Sequence, residues 1–325
     1  MKVASVGRMD ADIDFTVIIP AKNEELHLGK CLASIGTMTF SKSRYEVLVI
    51  DNGSSDRTME IAAAMGATVY QQPGLTISGL RNFGASKAKG KVLAFLDADC
   101  TVAREWLEEA ARYLAIPDIA AFGSAPVPPP EANWVQETWF HIRARKEVVQ
   151  DVDWLESMNM FVPHPVFTLV GGFDDLLLTC EDYELCQRLA RHGRIVSDQR
   201  IRAVHYGEAD SLARFFRKER WRATSNYQGM RKRWKNVAEW PSIALPIMQL
   251  LLLAALLAAL LLMPTGSVPL GPFLCFLFLW QGAFCLLAAW KIRPRRSLQT
   301  LARLVVLLNV YFLARGCAVV GGGRR

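Results

Sequence analysis

The 325-residue chain lacks the marks of several protein classes. Its seven cysteines include no Cys-x-x-Cys pair, and Cys275, Cys285 and Cys317 sit in apolar segments towards the C-terminus. That pattern excludes a disulfide framework and fits a reducing cytoplasm. Residues 1–14 have no apolar core, so no secretory signal is expected there. No stretch combines aromatic and basic residues as a nucleic-acid module does, so no nucleic-acid partner is expected. No glycine-rich basic loop follows the first expected strand, which counts against a nucleotidyltransferase. Charge is missing altogether from two long runs, 243–263 and 268–290.

The chain is 51% hydrophobic overall, and these two runs are far more apolar than the rest of it. At about 1.5 Å per residue each is long enough to span a bilayer core. They are flanked by basic clusters, Arg231 to Lys235 and Lys291 to Arg296. The positive-inside rule puts both clusters in the cytoplasm, which two spans between them satisfy. The catalytic portion is then expected in the cytoplasm, at an inner membrane of bacterial type. Residues 298–320 are apolar but interrupted by Arg303 and Arg315. They read as a third span or an interfacial helix, and the two arginines favour an interfacial or re-entrant one. The net charge of +7 concentrates between Arg214 and Lys235 and near 291–296, beside the apolar tail, as a membrane-surface contact would require. The expected domains are an N-terminal tail over 1–14, a catalytic α/β domain over 15–235 and a membrane region over 236–325.

Strands and helices alternate over the first hundred residues. Phe15 to Ile19, Tyr45 to Ile50, Ala67 to Tyr70 and Val92 to Leu96 read as strands. A helix with Leu28, Leu32 and Ile35 on one face follows the first, with Asn23 as its cap. Ser54 or Ser55 can cap a helix over 57–65, and another covers 78–88. The alternation predicts a largely parallel, doubly wound sheet. Further on, helices are expected over 104–115, 133–149 and 211–227, and strands over 119–122, 154–162 and 201–204.

Each early strand ends in polar residues: Asn23 and Glu24, then Asp51 and Asp56, then Asp97 and Asp99. In a parallel sheet these ends share one edge, where open α/β sheets bind ligands. Asp97-Ala98-Asp99 follows a strand buried on both faces, so its carboxylates suit Mg²⁺ or Mn²⁺, or form a polar turn into solvent. Asp182 shares a helical stripe with Leu185, Cys186 and Leu189, whereas Glu184 and Arg188 form an i,i+4 pair on the other side. Asp182 is thus a capping-box partner of Thr179 or a pocket-facing general base. His205 alone reads as structural. Arg214, Arg217, Lys218, Arg220 and Arg222 form a basic helix that is solvated, lipid-facing or suited to a diphosphate.

In order, Val17-Ile-Ile-Pro-Ala-Lys-Asn-Glu24, Val49-Ile-Asp-Asn-Gly-Ser-Ser-Asp-Arg-Thr58, Gly79-Leu-Arg-Asn-Phe-Gly-Ala85, Phe95-Leu-Asp-Ala-Asp99, Val170-Gly-Gly-Phe-Asp-Asp175 and Glu181-Asp182 resemble the family 2 glycosyltransferases, inverting enzymes of the GT-A fold. The resemblance covers roughly 15–205, and the tail looks like that of membrane-anchored members. It implies a nucleotide-sugar pocket lined by Pro20, Ala21, Asn23, Glu24, Asp51 and Ser54. It also implies that Arg81 and Asn82 lie along the donor, and that Asp97, with Ala98 beside it, lies near the ribose or metal. Asp99 would bind Mg²⁺ or Mn²⁺, with His205 a further ligand, and Asp182 would be the catalytic base. The Gln-x-x-Arg-Trp motif of processive synthases is altered here to Arg217-Lys-Glu-Arg-Trp221. Arg217, Arg220 and Trp221 would still meet the donor, while the lost Gln favours transfer of a single sugar. The implied activity moves one sugar, from UDP by resemblance, to a lipid-linked or cell-surface glycan. The alternatives are transfer to a polyprenyl phosphate and a non-catalytic nucleotide-binding membrane scaffold.

Overall fold

β1 (Phe15–Ala21) is buried along its whole length and sits near the middle of an eight-stranded sheet. The computed structural model describes residues 12–224, 240–265, 269–291 and 297–320. β1 lies between β2 (Tyr45–Asp51) and β4 (Val92–Leu96), parallel to both, and β3 (Thr68–Gln71) extends the parallel set at the edge. β5 (Cys100–Val102) leaves this sheet and pairs antiparallel with β10 (Ala203–His205). The large sheet continues through β8 (Asn159–Pro163), β6 (Ile119–Gly123), β9 (Arg194–Asp198) and β7 (Val149–Asp151). β8 runs antiparallel to β4 and to β6, and β7 antiparallel to β9. The sheet is therefore mixed. The parallel alternation predicted from the first hundred residues ends at β4, because β8 enters beside it from the opposite direction.

Alternation along the strands gives the sheet two apolar faces. Phe15, Val17 and Ile19 face α1 (Leu28–Gly36) and α4 (Trp106–Ala111), packing with Leu28, Leu32, Ile35, Trp106 and Leu107. Ile18, Leu48, Ile50 and Phe95 face α3 (Ile77–Lys87) and α7 (Glu181–Leu189), packing with Leu80, Leu185, Cys186 and Leu189. Burying each such side chain contributes roughly 1.5–3 kcal/mol. A Cβ at Gly84 would meet Ile18 Cγ2, so the glycine lets α3 settle onto the strands.

Several caps and boundaries differ from the sequence reading. Asn23 does not cap α1, whose N-cap is His27; it adopts a left-handed φ of 55° and accepts a bond from Ser55 N at 2.9 Å. Neither Ser54 nor Ser55 caps α2 (Thr58–Ala64); Asp56 accepts from Thr58 N at 3.0 Å instead. The helix expected over 104–115 is only six residues long. The one expected over 133–149 is α5 (Trp134–Arg143), set by an Asn133–Gln136 capping box, and its last expected residue opens β7. The expected strand 154–162 starts only at Asn159, and α6 (His164–Leu169) follows it. The strand expected over 201–204 is β10, shifted to include His205. None of the seven cysteines, all among the described residues, is joined in a disulfide.

Contacts divide the chain into two compact units, Met1–Pro129 with Arg145–Gly207 and Pro130–Ala144 with Glu208–Arg325. The first holds the sheet. The second is helical: α5, α8 (Leu212–Arg222), α9 (Pro241–Leu262), α10 (Leu270–Lys291) and α11 (Leu298–Val320). α9, α10 and α11 are each long and apolar enough to cross a membrane. The flank 231–235 and the loop 292–296 lie outside the described residues.

Candidate active site

The turns after β1 and β2 are laced together by hydrogen bonds. Asp51 is fully buried, and its carboxylate accepts from Ser54 N at 2.9 Å and from the Ser54 hydroxyl. Ser54 Oγ accepts in turn from Asn23 N at 2.9 Å, and Thr58 Oγ1 accepts from Glu24 N at 2.8 Å. Pro20 pairs with Ile50 and Ala21 with Asp51 in the strand register, and Asn52 N donates to Ala21 O at 2.9 Å. Asp51 is thus committed to shaping the turn. Asn23 and Ser54 lock the two loops into one wall.

The end of β4 joins that wall. Burial raises the pKa of the Glu24 carboxyl, and the charges of Asp99 and then Asp97 add to the effect. The turn after β1 therefore lies near the Asp-Ala-Asp segment. Ala98 is buried between its two acids. Asp97 accepts from Arg81 Nη2 at 2.8 Å, while Arg81 Nη1 donates to Glu181 at 2.8 Å. Arg81 is 2% exposed and bridges the end of β4 to the start of α7. Asn82 holds the glycine turn: its amide donates to Phe173 O and to Asp175, and its carbonyl accepts from Phe173 N.

Asp99 and His205 meet with Oδ2 and Nε2 3.2 Å apart. The antiparallel pairing of β5 with β10 makes this contact, since it sets His205 opposite Cys100. Ligand atoms of Asp99, Cys100 and His205 all lie within 4.8 Å of one another. A carboxylate and an imidazole fit Mg²⁺ or Mn²⁺, while the thiol is a softer donor than such ions prefer. A Cβ at Gly207 would overlap Asp99 Oδ2, so only glycine leaves the carboxylate its position.

Asp182 occupies the second position of α7 and accepts from Tyr183 N at 2.7 Å. The N-cap is Cys180, in a left-handed conformation with φ 62° and no side-chain cap bond, so the Thr179 capping box does not form. The expected Glu184–Arg188 pair does form, with Arg188 Nε donating at 2.9 Å. The Asp182 carboxyl is pushed up to about 7, first by burial and then by the neighbouring Glu181 charge, with Glu156 adding and Arg81 opposing. A group with that pKa exchanges protons near neutrality, as a general base must.

Arg217, Arg220 and Trp221 lie on α8 of the helical unit, all three exposed. The sequence reading missed four contributors in the sheet unit: Glu181, Glu156, Cys100 and Gly207. Glu181 stood in a quoted motif, and Cys100 directly follows Asp99. Gly207 and Glu156 carry no local signal, because their roles depend on strand pairing and on burial.

Residues 16–173 match the glycosyl transferase family 2 profile. The chain is 32% identical over 188 residues to the glycosyltransferase AglE of Haloferax volcanii, covering 55% of this chain and 62% of that protein. It is 25% identical over 300 residues to a beta-monoglucosyldiacylglycerol synthase of Synechocystis, covering 83% of this chain and 58% of the synthase. The chain thus spans about six-tenths of the length of these relatives. A mannosyltransferase of Pyrobaculum calidifontis, in complex with GDP-Man and Mn²⁺, superposes with a TM-score of 0.59 at 17% identity, over 92% of this chain and 87% of that one. At that identity the likeness speaks for the fold, which is of the GT-A type. Residues 16–173, most of them in the sheet unit, thus match a glycosyl transferase family 2 domain.

Proposed function

We propose that the protein is a membrane-anchored, inverting glycosyltransferase that moves one sugar from a nucleotide-sugar, UDP-linked by resemblance, to a lipid-linked or cell-surface glycan. The observation that carries the reading is the run of neighbouring acids Glu24, Asp99, Asp97, Glu181 and Asp182, in which the buried Arg81 pairs with Asp97 and Glu181. Such an excess of acid calls for a cation and for protons in transit. Asp99 and His205 would hold Mg²⁺ or Mn²⁺, which when bound neutralises the departing diphosphate.

The chain's own residues do the rest. The turn wall of Pro20, Ala21, Asn23, Glu24, Asp51 and Ser54 receives the nucleoside. Arg81 holds Asp97 and Glu181 in place and so fixes the floor of the donor site, and Asn82 fixes the glycine turn beside it. Asp182 takes the acceptor hydroxyl proton as that oxygen bonds to the anomeric carbon. The bond to the diphosphate oxygen breaks on the opposite face, which inverts the centre. α9 and α10 anchor the protein, with the basic flanks and the sheet unit in the cytoplasm.

A second reading, transfer to a polyprenyl phosphate, is favoured by one observation: Arg217 and Arg220 are exposed on α8 with no ion pair among the described residues. An acceptor that is already an anion needs no base.

The test is release of nucleoside diphosphate from a panel of sugar nucleotides by purified protein in lipid, with Mn²⁺ or Mg²⁺ and then with chelator. Metal-dependent turnover of one donor is expected. Absence of both turnover and nucleotide binding across the panel would refute the reading. Turnover unaffected by Asp182→Asn would select the polyprenyl phosphate.

A further inference from the structure

We infer that α11 does not cross the membrane: it lies at the boundary between bilayer and water on the side of the chain's N-terminus, and only α9 and α10 span. All three helices pass a test of length and composition, so the distinction rests on what covers α11.

α11 is covered on two sides. One side packs on the apolar pair, with Leu304, Leu308 and Phe312 clustered with Trp280, Phe284 and Ala288 of α10 and with Leu252, Leu253 and Leu256 of α9. The other side packs on α5 and α8: Leu307, Val310 and Tyr311 meet Val135, Trp139 and Phe215. Both interrupting arginines find acids there. Arg315 donates to Glu219 at 3.1 and 3.2 Å, and Arg303 lies 3.8 Å from Glu137.

Lengths decide what this means. Arg303 and Arg315 are twelve positions apart, or about 18 Å along the helix. The hydrocarbon core is about 30 Å thick, and α11 is just long enough to cross it. If it crossed centred, both arginines would sit about 9 Å from the midplane. They would draw α8 in with them, together with its exposed Arg214, Arg217 and Arg220 and the buried Glu208 with its partners Arg143 and Arg222. Charges at that depth are among the costliest placements a membrane offers. At the boundary, the apolar side of α11 rests on α9 and α10 while α8 stays in water or among headgroups.

The test uses the full chain in sealed vesicles of known orientation, with one epitope tag ahead of Met1, in the loop 266–268, or after Arg325. The tag's access to an impermeant antibody is scored before and after permeabilisation. The N-terminal and C-terminal tags are expected on one side and the loop tag on the other. A C-terminal tag opposite the N-terminal one overturns the inference, since α11 would then span. A loop tag on the same side as the N-terminus also overturns it, by removing the hairpin. No sugar transfer is needed for the readout, so it stands apart from the proposed activity.

Discussion

Both units of the molecule pair arginines with buried carboxylates, yet the two clusters are balanced differently. Among the described residues of the helical unit, every buried acid meets at least two cations. Glu208 is paired with Arg143 and Arg222 at 3.0 and 2.9 Å and with Lys218 at 3.1 Å. Glu219 is paired with Arg222 at 2.7 Å and Arg315 at 3.1 Å. In the sheet unit Arg81 is the one cation paired with Asp97 and Glu181 among the described residues, while Glu24 and Asp182 close by have pKa values displaced upwards. A satisfied cluster is what a structural joint needs. An acid-rich one costs stability, and it persists where a cation or a moving proton completes it.

The largest expected effect of breaking this contrast lies at Asp182. Asp182→Asn should lower sugar transfer about 10²- to 10⁴-fold, the usual worth of a positioned base. Nucleotide affinity by calorimetry should stay the same, and loss of both would reassign the residue to metal binding or folding. Next comes Arg81→Met, which strands two carboxylates and should destabilise the fold by about 3–5 kcal/mol in a urea titration. Arg315→Met should cost less, about 1.5–3 kcal/mol, because Glu219 keeps Arg222. Equal costs at the two arginines would erase the comparison. The smallest effect is that of pH. Asp182 works only when deprotonated and its carboxyl titrates near 7, so the rate should fall about tenfold per unit as pH drops below that value and level off above it. In Asp182→Asn that acid limb should vanish.

Much of this contrast can be read from local pattern. The runs at Phe15, Tyr45 and Val92 are buried strands, and the polar residues after them are drawn to one edge by parallel pairing. The i,i+3,i+4,i+7 spacing set Asp182 on the stripe of Leu185, Cys186 and Leu189, and burial agrees for the three apolar members. What stayed hidden depends on contacts far apart in sequence. His205 reaches Asp99 only because β10 pairs with β5, 106 positions along the chain. Asn23 looked like a cap because caps are local, yet its partner Ser55 is 32 residues away. The antiparallel entry of β8 follows a long excursion that no periodicity records. Arg81 appeared as a donor contact, and only the fold shows it spent on Asp97 and Glu181.

The central claim is that the acid-rich cluster is completed by a cation at Asp99. The most direct measurement is titration of Mn²⁺ into the purified protein with nucleoside diphosphate present, followed by electron paramagnetic resonance, for the wild type and Asp99→Asn. One saturable site is expected in the wild type, with its affinity lost or strongly reduced in the variant. Equal uptake by both proteins, or none by either, would contradict the account.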